Sequence, residues 1–196
     1  RTGAMGMNRI VDRKFDALNP RTSNREIPAG VVKAWEAFIF TAIAFAFLLL
    51  AAYKLNPLCF KIAPLFLLVL FTYSYTKRFT WLCHIVLGVS LALAPLGAWI
   101  AIKGTFSPDI LPLCFAVMFW VAGFDTLYGL QDMEFDKNQG LYSIPSVFGV
   151  KASLWIARLF HLITIGLLLS LVPIFKLSGI YLFGVLIASG LMLYEH

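Results

Sequence analysis

Six long apolar runs constrain this chain more than any other feature. They cover roughly residues 34–53, 58–75, 81–102, 110–130, 152–175 and 177–194. At about 1.5 Å of rise per residue, each is close to the length that crosses the hydrocarbon of a bilayer. A backbone in lipid must satisfy its own polar groups, so each run is expected to be a helix. None alternates with period two, which excludes a barrel of strands. Composition agrees. Of 196 residues, 60% are hydrophobic and 13% charged, where a soluble domain carries about 25% charge. The expected fold is an all-α, polytopic transmembrane bundle with six full spans and the lipid bilayer as its solvent.

The net charge is +6 and the pI about 9.3. In a soluble chain that balance would point to nucleic acid. Here the positive-inside bias accounts for it, and no nucleic-acid partner is expected. Alternating crossings put residues 1–33, 76–80 and 136–151 on one side. That side carries eleven cations: Arg1, Arg9, Arg13, Lys14, Arg21, Arg25, Lys33, Lys77, Arg78, Lys137 and Lys151. The other carries four, Lys54, Lys61, Lys103 and Lys176. The first side is therefore assigned to the cytoplasm. Cys59, Cys83 and Cys114 are widely spaced within apolar runs and read as packed thiols rather than a disulfide or zinc set.

Punctuation refines the picture. Met7 to Ala17 reads as the end of a helix, stopped by Asn19-Pro20, and an ordered loop should follow to Gly30. Pro95 and Gly97 mark a kink or a close contact, and Gly184 and Gly190 read as contact glycines. Trp81, Trp99 and Tyr194 sit where interfacial anchors belong. Lys33 and Glu36 read as a weak surface pair.

Most acids fall on the cytoplasmic side. Asn8, Asp12 and Asp16 are spaced i, i+4, i+8, a drift of about 40° per step that lines three oxygens along one helix face. Asp125, Asp132 and Asp136 return to within roughly 40° of one another on an uninterrupted helix, with Tyr128 about 60° aside. Magnesium prefers oxygen ligands and usually takes one or two carboxylates plus substrate phosphates. Two such columns at one membrane face fit a diphosphate bridged by Mg²⁺, with Arg9, Arg13, Lys77 and Arg78 nearby to complete the neutralisation. Acids at helix ends in water are otherwise ordinary solubilising charges. Asp125 weighs against that bland reading, because it lies inside an apolar run, where acids are costly. His84 and His161 have no ligating partner at helical spacing and read as packed residues.

These residues carry a resemblance. Asn8, Asp12 and Asp16 match N-x-x-x-D-x-x-x-D. Arg21, Asn24, Arg25, Ile27, Pro28 and Gly30 match R-x-x-N-R-x-I-P-x-G. Tyr73, Lys77 and Arg78 match Y-x-x-x-K-R. Asp125, Thr126, Tyr128, Asp132 and Asp136 match D-T-x-Y-x-x-x-D-x-x-x-D, and Ser143-Ile144-Pro145 with Phe148-Gly149 follows. In this order they resemble the UbiA superfamily of intramembrane aromatic prenyltransferases, most of all 4-hydroxybenzoate polyprenyltransferases and their menaquinone-pathway relatives. Arg9 departs from the pattern, since many members have Asp there.

The resemblance implies one domain over residues 1–196, short of a nine-helix whole: the first helix, most of the second and the last would be missing, and weak activity is expected of such a piece. It implies that Asn8, Asp12, Asp132 and Asp136, with Asp16, hold Mg²⁺ and a polyprenyl diphosphate. Lys77, Arg78 and Arg13 would contact diphosphate oxygens. Tyr73 or Tyr128 would shield the allylic cation, and Asp125 would orient the second motif or the acceptor. The implied reaction is prenylation of an aromatic acid at the cytoplasmic face of a bacterial inner membrane. 4-Hydroxybenzoate, for ubiquinone, is the first choice of acceptor. A naphthoate or futalosine-derived acid, for menaquinone, is the alternative. A cation- or proton-coupled transporter would need acids at midspan, whereas these cluster toward one face. The CDP-alcohol transferases need D-G-x-x-A-R, which is absent.

Overall fold

A computed structural model describes residues 2–196. Arg1, counted above among the inside cations, lies outside the described residues. Among these, every regular element is helical: α1 (Thr2–Leu18), α2 (Ala34–Leu55), α3 (Pro57–Thr76), α4 (Cys83–Lys103), α5 (Leu111–Gly129), α6 (Met133–Asn138), α7 (Ile144–Phe175) and α8 (Gly179–Tyr194). Single 3₁₀ turns at Pro108–Ile110 and Leu130–Asp132 flank α5.

Five helical segments are long and apolar enough to cross a membrane: α2, α3, α4, the stretch Pro108–Asn138, and α7. The sixth expected span is the shorter apolar helix α8, of 16 residues. With its lipid-facing side chains, such as Ile180 at 85% exposure, the chain is an integral membrane protein.

The helix ends follow the local chemistry. The Asn56 side chain accepts from the Cys59 N–H at 2.9 Å, and Pro57 opens α3, where a missing N–H costs nothing. Asn19 stops α1 as expected, its side chain accepting from the Arg21 N–H at 2.9 Å. Ser143 and Ser146 cap the start of α7 reciprocally. That helix begins eight residues before the predicted 152. Gly149, at φ 76° and ψ 177°, explains the difference: it breaks the first turns from the long span, a conformation only glycine adopts freely.

The helices group into two compact units, one ending at Tyr75 and one beginning at Thr76. In the first, α1 lies on α2, with Gly3 beneath the Phe45 ring and Gly6 against Thr41. In the second, α5 packs between α4 and α7. Gly88 of α4 lies against the Met118 carbonyl, and Gly123 of α5 against His161. Small residues at these crossings let backbones approach, the usual substitute in lipid for a hydrophobic driving force. Ala122, Ile144 and Phe160 form the core between them.

Gly184 and Gly190 do not make the predicted contacts, since nothing lies within 4 Å of a Cβ built at either. They sit on α8, whose surface is mostly exposed. Lys33 and Glu36 meet differently from the predicted pair: the Glu36 carboxylate accepts from the Lys33 backbone N–H at 2.9 Å and caps α2.

Candidate active site

In the first unit, the Asn8–Asp12–Asp16 column forms on α1 as its spacing predicts. The Asn8 amide donates to Asp12 Oδ2 at 2.8 Å, one helical turn away. Asp16 is 6% exposed, and its Oδ1 takes a 2.7 Å ion pair from Arg25 while Oδ2 is buried without a partner. Thr22 Oγ1 donates to the Asp16 carbonyl at 3.1 Å. Asp16 therefore fastens the loop after α1 to the helix, and Arg25 of the R-x-x-N-R motif is the fastener. Arg9 pairs with Glu26 at 2.6 Å, so the position that departs from the family pattern serves the same loop. Arg13 donates to the Ile10 carbonyl at 2.7 Å. The Tyr73 hydroxyl donates to the Ala4 carbonyl at 3.2 Å, tying α3 to α1.

In the second unit the three aspartates do not lie on the one uninterrupted helix that the spacing assumed. The chain leaves α5 after Gly129, makes a 3₁₀ turn, and restarts as α6. A 3₁₀ turn advances about 120° per residue instead of 100°, and Asp132 itself sits at φ −102°, ψ 2°. Over three residues that shifts the phase between Asp125 and Asp136 by about 60°, and each acid meets its own surroundings.

Asp136 is 1% exposed. Lys77 Nζ lies 2.9 Å from both of its oxygens, and Ser143 Oγ donates to Oδ2 at 2.9 Å. The Tyr142 N–H donates to the Lys77 carbonyl at 2.7 Å, fixing the lysine's backbone to the start of α7. Burial pushes the Lys77 pKa down, but the Asp136 charge and hydrogen bond outweigh it, and the net shift is upward. Lys77 is thus held in its charged form at neutral pH. Asp132 is buried in the 3₁₀ turn. Tyr128 is 44% exposed and stacks on Phe124 with centroids 6.3 Å apart.

Asp125 meets a partner that the linear pattern did not reveal. Its Oδ2 lies 2.7 Å from His84 Nδ1, and the two side chains are 31% and 3% exposed. The reading of His84 as an unpartnered packing residue is corrected here. A signal was available, since an acid inside a span needs a partner at its own depth. His84 opens α4, and Asp125 lies near the end of α5; helices joined by a short link place those ends side by side. His161 is likewise paired, with Nδ1 3.0 Å from His196 Nε2. The cysteines are buried and free, as read.

Asn8 and Asp12 in the first unit, and Asp132 in the second, each offer a side-chain oxygen, the donor a hard cation prefers. Among the described residues, no three His, Cys, Asp or Glu side chains gather as a closed metal cluster. Mg²⁺ keeps waters and substrate oxygens in its shell and does not require a closed protein cage.

The UbiA prenyltransferase family model matches residues 1–196, the whole chain. This chain belongs to the UbiA prenyltransferase family. The UbiA members it resembles in sequence include a protein named 4-hydroxybenzoate octaprenyltransferase from Vibrio cholerae, 32% identical over 195 residues and covered by this chain over 68% of its length. Among solved structures, the apo UbiA homologue from Aeropyrum pernix is 31% identical, with a TM-score of 0.94 over 99% of this chain and 74% of that one. A UbiA homologue from Archaeoglobus fulgidus, solved with DMAPP and Mg²⁺, shares the fold at 23% identity and a TM-score of 0.73, over 98% of this chain and 68% of that one. The all-helical membrane fold is therefore the UbiA fold, and the chain is a prenyltransferase-family enzyme rather than a transporter.

Proposed function

We propose that this protein transfers a polyprenyl group from a polyprenyl diphosphate to 4-hydroxybenzoate, with Mg²⁺, at the cytoplasmic face of a bacterial inner membrane. The observation that carries the acceptor is the match along the whole chain to enzymes named 4-hydroxybenzoate octaprenyltransferase. The cytoplasmic assignment rests on the eleven-to-four division of cations.

Both aspartate motifs serve the diphosphate in this reading. Asp136, closed off by Lys77 and Ser143, would act by holding Lys77 in place. The side-chain oxygens of Asn8, Asp12 and Asp132 would hold Mg²⁺, which neutralises charge on the leaving diphosphate. The UbiA fold houses that pair of ligands in the Archaeoglobus fulgidus protein, with DMAPP as the diphosphate. Lys77, held charged beside Asp136, supplies a fixed cation to diphosphate oxygens, and Arg78 and Arg13 add charge. Asp16, bound to Arg25, supports the first motif by anchoring the loop behind it. The exposed face of Tyr128 offers π density to an allylic cation, and Tyr73 is a second candidate. Apolar helix faces keep water from that cation.

The test uses membranes containing the full-length protein, a polyprenyl diphosphate and ring-labelled 4-hydroxybenzoate. Label should enter the lipid fraction with Mg²⁺ and not with EDTA, and Asp132→Asn should lower the rate by about 10²-fold or more. Absence of transfer, in membranes shown to hold folded protein, would overturn 4-hydroxybenzoate as acceptor.

A further inference from the structure

We infer that His84 is the positioning residue for Asp125, and that Asp125 so held takes the ring proton that the aromatic acceptor loses. The inference rests on the proposed prenylation. That reaction releases one proton for every carbon–carbon bond formed, and no residue discussed so far receives it.

The geometry points to this pair for three reasons. The 2.7 Å contact between His84 Nδ1 and Asp125 Oδ2 joins a histidine that is 3% exposed to a carboxylate that is 31% exposed. One member is locked in the packing, and the other opens outward. His84 is held on its other sides as well: its Cε1 faces Gly129, where a Cβ would lie 3.0 Å away, and its Nε2 is buried without a hydrogen-bond partner. The imidazole's short polar contact, at 2.7 Å, is to Asp125. Asp125 also stands one helical turn from Tyr128, whose ring lies exposed beside it. The neighbouring Cys83 also hydrogen-bonds His84, and its Sγ lies within reach of the Trp81 and Tyr142 carbonyls, so it helps hold the imidazole in place.

The step balances. The bond between the allylic carbon and the diphosphate oxygen breaks, and its electron pair leaves with the diphosphate. A π pair of the acceptor ring forms the new carbon–carbon bond. The electrons of the ring C–H bond then restore aromaticity, and the proton passes to Asp125 Oδ1. The Nδ1–H of His84, donating to Oδ2, fixes the carboxylate plane throughout. Asp125 later returns the proton to water.

The experiment compares wild type, His84→Ala and His84→Gln as full-length protein in membranes. The probes are 4-hydroxybenzoate and its analogue deuterated beside the hydroxyl. For His84→Ala the expected result is a fall in kcat of about 10²-fold, an unchanged KM for the prenyl diphosphate, and a primary isotope effect larger than in wild type, because proton loss has become the slow step. His84→Gln, whose amide can still donate to Oδ2, should recover a large part of the rate and lower the isotope effect again. Elution of each variant as a single folded peak in detergent keeps the comparison sound. An active wild type with unchanged kcat and isotope effect in His84→Ala would overturn the inference. So would equal losses in both variants with no change in isotope effect, which mark a structural role. A wild type that transfers nothing would instead overturn the proposed function beneath it.

Discussion

Asp136 is buried deeper than Asp16 or Asp132, and its two partners come from before α4 and from the start of α7. The buried carboxylate depends on Lys77 for its charge balance. Removing one member of a buried ion pair leaves the other uncompensated, which commonly costs 3–5 kcal/mol. Lys77 is 36% exposed, so solvent screens part of that loss, and Lys77→Met should cost about 2 kcal/mol. Thermal unfolding in detergent measures it. Lys77→Met with Asp136→Asn should be more stable than Lys77→Met alone, since the orphaned charge is gone; a double mutant that only adds the two losses would refute the pairing. The same pair sets an alkaline limit. The folded state holds the Lys77 proton more tightly than the unfolded chain does, because Asp136 raises the lysine above its ordinary 10.5. Its contribution is therefore complete below pH 10.5 and disappears as pH rises through the folded value. Wild type should lose stability there to a degree that Lys77→Met does not.

Helices are where the sequence was most readable, and their junctions where it was least. Length and apolarity alone located the spans, because lipid leaves the backbone no other economical conformation. The Asn8–Asp12–Asp16 face was readable because α1 is one regular helix. The Asp125–Asp132–Asp136 face was not, because nothing in Gly129-Leu130-Gln131-Asp132 announces a 3₁₀ turn, and one such turn rotates everything after it. Glycine contacts were equally opaque: Gly88 and Gly190 look alike in an apolar run, and only packing separates them. At Gly88 a methyl group would collide with the Met118 carbonyl, a backbone atom that cannot swing aside. Gly88→Ala should thus cost about 1–3 kcal/mol. Gly190→Ala meets open space and should be neutral or stabilising by up to about 1 kcal/mol, the helix-propensity gain of alanine. Thermal melts of the two variants in one detergent decide it, and equal effects would show that α4 and α5 do not cross at Gly88.

At the scale of the whole molecule, the proposed cytoplasmic orientation of the second aspartate motif rests on charge. Gln139, between α6 and α7, and Thr105, between α4 and α5, are both exposed and lie at opposite ends of the intervening span. Gln139 sits among the links that hold eleven cations, and Thr105 follows Lys103 on the side that holds four. The native thiols Cys59, Cys83 and Cys114 are buried, which leaves little background for a thiol reagent. In intact bacterial cells, a membrane-impermeant maleimide should label Thr105→Cys and spare Gln139→Cys. After the membrane is permeabilised, both should react. The cations fix this outcome because moving Lys or Arg across the bilayer opposes the positive-inside bias at every short link. The acids contribute little to orientation, so the motifs themselves cannot reverse it. The reverse labelling pattern would place the second aspartate motif outside the cell, away from a cytoplasmic supply of polyprenyl diphosphate, and the proposed orientation would fall with it.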